Sequence, residues 1–573
     1  MEESRRARYL LRFASNLPLI LGLAGLVWCI GAAIWALHPG VYFSGDGGLK
    51  ALAARMYAHG RFRDALALEG PEWARSAWRD GLYPFGPPFV YGTDIPTLAF
   101  PPFFQMLTAP FYAIVGEPGL YILPMLGTAA TYLGVALISR KVGNSLSAGI
   151  VAVAVVAFAS PLPLYAIVFC EHMPAVGLFV LGLLLLVASH GSTRHGSTLA
   201  TGGAGPAENT AIGAGDQAAA AQPRDSWALA ALGGGLIVWS GALRPEVLLY
   251  ALLAGGAFFL FPADCIRRPQ LARAFVGGLV AALIVAAINW ALTGTPFGLH
   301  GRQLSSVDTS ISASWDRGKE LVTQFWPDFP AILLVPLVWR FWEGRKRQFE
   351  INLTFAGLAL VVISPVLLPN SGGKQIGLRY LLVLVPVAAL ALATLWTSVR
   401  AELLHEPRRR IRRAVSWAVQ FLILISVAYG GFVNIAVGTK AVARDYSYRI
   451  RPALEFLKNR PEKIIVFTHQ WSSQELTALI PDRVFFRVQG LDSRRWSDED
   501  PNSSPFDGFV RLTRALHEAG LQRFVLVALN GQAIPADEFL GTERVHFQPL
   551  RHLGQFDLYE GEVIPMISLA PRS

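Results

Sequence analysis

A few charged residues in this sequence stand where charges are rare. Asp46 lies between glycines in "VYFSGDGGLKALAARM", just after the first long apolar run. A carboxylate there could act as a general base, provided a substrate hydroxyl came within hydrogen-bond reach. Its flanking glycines would let a ligand approach the backbone closely. The competing reading is a helix cap, because Asp ahead of "GGLKALAARM" suits a helix start. Glu171 and His172 share the turn "LYAIVFCEHMPAVG", where one apolar run ends and the next begins. Ionisable groups at membrane depth are costly and count as functional candidates by default. A pair at a span boundary that simply reaches water is the alternative. Asp94, in "YGTDIPTLAFPPFF", is a third acid, for which an Asx-type turn before Pro96 is the simpler account.

Cations recur near the same chain positions. Lys374 and Arg379 occur in "NSGGKQIGLRYLLVLVP", Arg302 in "PFGLHGRQ" and Arg244 in "GALRPEVLL". A guanidinium grips a phosphate through two parallel hydrogen bonds, so these residues suggest a phosphate clamp. Arg379 could instead snorkel from a span end, and Arg244 could pair with Glu246. Asp46 and Glu171 are thus the catalytic candidates. Arg379, Lys374, Arg302, Asp94, His172 and Arg244 are the candidate substrate contacts. Cys29, Cys170 and Cys265 fall in or beside apolar runs, which excludes a disulfide framework. No Cys/His spacing suits a metal, and no cofactor is expected, with a divalent cation left as the open alternative.

The elements that must hold these groups are apolar helices. The chain is 53% hydrophobic and only 16% charged, with a mean hydropathy of +0.41. Repeated apolar runs close to the ~20 residues needed to cross a bilayer mark a polytopic membrane protein. The net charge of +10 does not point to nucleic acid. Its basic residues form short clusters between the runs, as the positive-inside rule requires. Placing five such clusters in the cytoplasm gives about 11 spans. They lie near 17–37, 119–139, 146–162, 172–189, 227–243, 247–261, 272–293, 328–342, 351–368, 379–399 and 414–437. The N-terminus is then inside, behind a retained signal anchor, and the C-terminus outside. "FPPFFQMLTAPFYAIVG" at 100–116 breaks that path and is expected to lie at the outer interface.

Residues 38–118 then form a long outer loop, and 191–225 a low-complexity, disordered cytoplasmic linker. From 438 to 573 the pattern changes. "EKIIVFTH", "DRVFFRV" and "QRFVLVAL" read as buried strands, with "SSQELTALI" and "FVRLTRALHEAG" as amphipathic helices. The expectation is a transmembrane region, 1–437, followed by a small extracytoplasmic α/β domain, 438–573. The tail has no Gly-rich phosphate loop and no nucleophile elbow.

The order of these features resembles the GT-C fold glycosyltransferases that use polyprenyl-phosphate sugars, in the style of protein O-mannosyltransferases and lipid A aminoarabinose transferases. The resemblance rests on an acid in the first outer loop, the "PPFF" helix, an acid after the third span, the "LRPE" turn and the "RYLLVLVP" span. It covers roughly residues 10–400. Gly47 replaces the second acid usual in the first loop. The resemblance implies that Asp46 deprotonates an acceptor hydroxyl while it attacks the anomeric carbon. Polyprenyl phosphate would leave, stabilised by Arg379 and Lys374. The partners would be a polyprenyl-phosphate-linked sugar, a protein, glycan or lipid acceptor, and membrane lipids, in a bacterial inner membrane. The rival classes are a transporter or flippase, with Asp46 and Glu171 as coupling groups, and a non-catalytic membrane scaffold. Clustering of the acids at one face, with no evident inverted repeat, speaks against transport.

Overall fold

The computed structural model describes residues 2–92, 95–143, 145–190, 226–299, 310–341, 347–367, 379–405, 410–488, 507–532, 534, 537–540 and 543–565. Three candidate site residues, Asp94, Arg302 and Lys374, lie outside these, as does the 191–225 linker.

The apolar runs fold as helices, the one open-ended structure that satisfies every backbone polar group within lipid. Eleven helices lead up to residue 293: α1 (Glu2–Ala36), α2 (Gly45–Ala58), α3 (Glu72–Ala77), α4 (Phe103–Val115), α5 (Ile122–Gly143), α6 (Leu146–Phe158), α7 (Leu162–Ala166), α8 (His172–Ser189), α9 (Trp227–Leu243), α10 (Pro245–Leu260) and α11 (Arg268–Thr293). Among the described residues, seven helices are long and apolar enough to cross a membrane. They are Asn16–Ala36, Glu117–Val142, His172–Ser189, Arg268–Thr293, Gln348–Leu367, Leu384–Leu403 and Arg413–Lys458. Each falls on an expected span. The remaining expected spans fall on shorter apolar helices, Leu146–Phe158, Trp227–Leu243, Pro245–Leu260 and Pro330–Trp339. The protein is a multi-pass membrane protein.

Small residues bring these helices close. A Cβ on Gly127 would collide with the backbone of α8, and one on Gly182 with the Gly233 carbonyl of α9. Such small-residue seams replace the hydrophobic drive that is missing between helices in lipid. The segment 100–116 forms α4, with Pro102 as N-cap and Pro110 inside the helix. It packs against α2 rather than standing alone.

The last long apolar helix does not stop at its apolar end. From Arg413 to Lys458 it runs as one helical rod, passing through π-helical stretches at Phe432–Gly438 and Tyr446–Ile450. Beyond the rod lies a mixed six-stranded sheet of order β4-β3-β5-β8-β7-β6. Earlier in the chain, β1 (Val90–Tyr91) and β2 (Thr97–Leu98) form a small antiparallel pair. The sheet strands are β3 (Ile464–Phe467), β4 (Val484–Arg487), β5 (Arg523–Leu529), β6 (Asp537–Leu540), β7 (Glu543–Leu553) and β8 (Phe556–Pro565). The parallel part β4-β3-β5 and its helices, Gln470–Glu475 and Asp507–Glu518, occupy the expected segments. The antiparallel part β8-β7-β6 does not appear in the sequence reading. In β8, Phe556, Leu558, Gly561 and Val563 are buried while their neighbours are part-exposed. Such a half-covered strand carries no continuous apolar run.

Candidate functional site

The site is organised by α2. Its N-cap is Ser44, in an extended conformation (φ −146°, ψ 162°), and Asp46 is the second residue of the helix. Asp46 is therefore not the cap. It stands in the first turn, where the helix dipole favours a negative charge. Its carboxylate is half-buried. Among the described residues no hydrogen bond or ion pair holds it. Its electrostatic partner is the Arg379 guanidinium.

The glycines around Asp46 serve a different purpose from the one expected. A Cβ on Gly48 would overlap the Gln474 carbonyl oxygen, and one on Gly45 would meet the Gln474 side chain. On Gly47 it would meet Tyr42 at 3.4 Å and the Phe169 carbonyl at 3.5 Å. These glycines admit the tail helix Gln470–Glu475 and the turn before α8. Gly45 and Gly48 thus make room for protein, while a Cβ on Gly47 would be in ordinary contact. Thr477 Oγ1 completes the seat by donating to the Gly48 carbonyl at 3.1 Å.

One turn after Asp46, α2 presents Lys50, only 4% exposed. Its Nζ donates to Glu171 Oε2 at 2.7 Å and lies 4.3 Å from the Phe100 ring centroid. Glu171 is the N-cap of α8, and its other oxygen accepts from Arg244 at 3.0 Å. Burial alone would raise the Glu171 carboxyl, but Lys50 and Arg244 together hold it well below the usual carboxylate range. Arg244, at the turn between α9 and α10, also donates through Nε to Glu246 Oε1 at 2.6 Å. The ion pair of Arg244 with Glu246 read from the sequence is present, and the same guanidinium also joins Glu171.

Tyr380 joins the two arginines. Its ring centroid is 5.2 Å from the Arg244 guanidinium and 4.7 Å from that of Arg379. Its hydroxyl accepts from Arg379 at 2.7 Å. His172 packs its ring 4.8 Å from Tyr165, and its buried Nδ1 has no hydrogen-bond partner among the described residues. Five sequence candidates, Asp46, Glu171, His172, Arg244 and Arg379, are thus brought into one electrostatic cluster. Its described charges balance, with Lys50, Arg244 and Arg379 against Asp46, Glu171 and Glu246. Glu171 and Glu246 take up Lys50 and Arg244. The looser pair, Asp46 and Arg379, is left facing each other.

A second buried network fixes the far half of α2. Arg55 donates to Glu117 Oε1 at 2.9 Å, and Tyr42 donates to Glu117 Oε2 at 3.0 Å. Arg55 also donates to the Tyr42 hydroxyl. The loop after α2 is then stitched to the sheet region. Trp78 Nε1 donates to the Phe485 carbonyl at 2.8 Å, Ser473 to that of Pro84 at 2.8 Å and Gln470 to that of Pro87 at 3.0 Å. Lys50, Tyr380, Arg55 and Glu117 were all missed from sequence. Lys50 left one signal, as a cation four residues after Asp46 among apolar neighbours. Among the described residues no group of three or more His, Cys, Asp or Glu could hold a metal.

No described protein family matches the chain, and no curated protein matches it in sequence. Its fold does match solved structures. ArnT from Cupriavidus metallidurans in the apo state aligns over 97% of this chain and 98% of that one, at 11% identity and a TM-score of 0.51. ArnT bound to undecaprenyl phosphate aligns over 95% and 97%, at 12% identity and 0.49. The oligosaccharyltransferase of Archaeoglobus fulgidus in the apo form aligns over 89% of this chain and 69% of that one, at 13% identity and 0.45. The match to apo ArnT establishes the fold, which is the GT-C fold that the order of sequence features resembles.

Proposed function

We propose that the protein is a glycosyltransferase that moves a sugar from a polyprenyl-phosphate donor to a hydroxyl acceptor on the extracytoplasmic face of a bacterial inner membrane. The N-terminus is then cytoplasmic and the region after 438 outside. The observation that carries this reading is the Asp46 carboxylate, unpaired and opposed to Arg379 within a cluster whose other acids are already neutralised. The shared fold adds an analogy, and no more than that.

Each group has a task. The acceptor hydroxyl attacks the anomeric carbon, the bond from that carbon to the phosphate oxygen breaks, and the hydroxyl proton passes to Asp46. The phosphate that leaves gains charge, which Arg379 meets with a fixed guanidinium. Lys374, Arg302 and Asp94 are assigned to the same substrate surface from sequence. Glu171 is assigned a positioning role. Ionised and held from both sides, it keeps Lys50 and Arg244 in place and is poorly suited to take a further proton. Tyr380 sets the planes of both arginines.

The test is the pool of lipid-linked sugars in cells. A deletion strain should accumulate one polyprenyl-phosphate sugar. Wild-type protein should clear it, and an equally abundant Asp46→Asn protein should not. An unchanged pool in the deletion strain would overturn the proposal.

A further inference from the structure

A second feature lies away from the Asp46 cluster. Between the helical rod and the turns of the sheet is an open cavity of about 800 Å³. Its size is within the ~300–1,000 Å³ typical of small-molecule sites. Phe432, Ala436 and Val437 line its lower part. Lys440 and Arg444 follow, and Asn530 and Gln555 close it from the sheet. Residues 436, 440, 444 and 448 recur every four positions, which sets each about one helical turn above the last.

The chemistry changes along this line. Phe421, Ile425 and Phe432 are 63%, 48% and 63% exposed on a helix apolar enough to cross a membrane. Lys440 and Arg444 are exposed too, and neither has an ion pair among the described residues. Asp445 is turned to Arg449, at 3.8 Å. The cavity therefore offers an apolar floor that continues the lipid-facing surface, then Lys440 and Arg444 beside the Asp445–Arg449 pair, then amide side chains.

Cations at a span end often only snorkel to water. Here the exposed cations face the turns of the sheet across the groove. Gly554, at φ +65°, sits so close to the rod that a Cβ would collide with the Arg449 carbonyl. Asn530 N–H donates to the Gln555 carbonyl at 2.9 Å, tying the two sheet turns together above Lys440 and Arg444. Snorkelling to open water needs no such facing wall. A diacyl lipid with an anionic headgroup matches both ends of the cavity.

We infer that this cavity binds an anionic phospholipid of the surrounding bilayer. Its phosphate lies between Lys440 and Arg444, and its acyl chains run along Phe432, Ala436 and Val437. This inference does not depend on the transferase reading. It concerns a lipid other than the proposed donor.

The full-length protein, purified in neutral detergent, would be titrated with phosphatidylglycerol and with phosphatidylcholine. Bound lipid would be counted by native mass spectrometry. Each cation near a lipid phosphate contributes roughly fivefold in affinity, so Lys440→Gln with Arg444→Gln should weaken phosphatidylglycerol binding roughly twentyfold. Phosphatidylcholine should bind weakly to both proteins, and affinity for polyprenyl phosphate should not change. If the double variant does not fold, Arg444→Gln alone should weaken binding roughly fivefold. Equal phosphatidylglycerol binding by variant and wild type would overturn the inference. So would phosphatidylcholine binding as tightly as phosphatidylglycerol, or inorganic phosphate displacing the lipid at equal concentration, which would mark a free-anion site.

Discussion

Asp46 and Glu171 stand at two helix starts on one side of the bundle, joined through Lys50, yet their surroundings differ in kind. Glu171 is 5% exposed and takes a cation on each oxygen, Lys50 at 2.7 Å and Arg244 at 3.0 Å. Asp46 is half-buried and has no direct partner among the described residues, only the field of Arg379. A buried charge must be compensated, and the compensation commits it to structure. A carboxylate left uncompensated at a partly open position keeps its lone pairs for something that is not protein. Depth in the fold therefore argues for opposite roles, although the sequence treats the two acids alike.

The largest expected effect separates them on activity. Asp46→Asn preserves a side-chain acceptor in the first turn of α2 but cannot take a proton at neutral pH. Turnover is expected to fall ~10²–10⁴-fold, the usual contribution of a positioned proton acceptor. Thermal unfolding in detergent should shift less than for Glu171→Gln, since a helix-dipole contribution of about 0.3–1 kcal/mol is lost with the field on Arg379, whose guanidinium keeps the Tyr380 hydroxyl. A stable Asn variant with near-wild-type transfer would remove the base from Asp46.

Glu171→Gln should do the reverse and act first on stability. Removing one member of a buried ion-pair cluster leaves Lys50 and Arg244 uncompensated, at a cost of about 3–5 kcal/mol. A large drop in melting temperature, with any loss of turnover following from it, is the expected result. Acid should mimic the substitution. Because the folded carboxyl lies below its unfolded value, its stabilisation is complete above the ordinary carboxylate pKa of about 4.3 and is lost as pH falls through the depressed value. Melting followed from pH 7 down to about pH 5 should show no loss from this group. Early loss in that window would mean that Glu171 is not held as described.

How much of this was legible in sequence depends on range. Hydropathy is local, so Trp227–Leu243 and His172–Ser189 stand where the apolar runs put them. Polar residues in turns between such runs, Arg244 and Glu171 among them, are conspicuous for the same reason. Lys50 was not conspicuous, because the carboxylate it pairs with is 121 residues away. Tyr380 reads as one more aromatic at a span end until two guanidinium groups are seen against it. The glycines beside Asp46 mark a place of close approach in the sequence, but not what approaches. What approaches is a helix more than 400 residues further along the chain, as the 429-residue separation of Gly48 and Thr477 shows. Strands β7 and β8 escaped because their half-covered faces alternate too weakly to stand out.

That long-range seat yields a third test. Gly48→Ala places a methyl group against the Gln474 backbone carbonyl, which cannot swing aside as a side-chain tip would. Overpacking of this kind typically costs about 1–3 kcal/mol. The expected signature is easier proteolysis of the region after residue 458, with turnover falling in step as the first turn of α2 loses its backing. Unchanged protease resistance would mean that the tail does not depend on α2 for its place. The shared wall beside Asp46 would then be incidental.

The smallest effect tests the cation opposite Asp46. Arg379 has two competing explanations, and they make different demands on one side chain. A phosphate clamp needs a planar fork that gives two parallel hydrogen bonds, and lysine offers only a point charge. Snorkelling from a span end needs a long stem and a positive tip, which lysine supplies equally well. The position of Tyr380 sharpens the contrast, since its ring lies 4.7 Å from the guanidinium and its hydroxyl accepts from the same group. A side chain oriented on two sides is more than a tip reaching for water. Arg379→Lys should therefore lose one charge-assisted hydrogen bond to the donor phosphate, about 1.5 kcal/mol or roughly tenfold in affinity. Titrating purified protein with polyprenyl phosphate measures this directly. Affinity within twofold of wild type would favour snorkelling, and Asp46 would then have lost the partner on which its comparison with Glu171 rests.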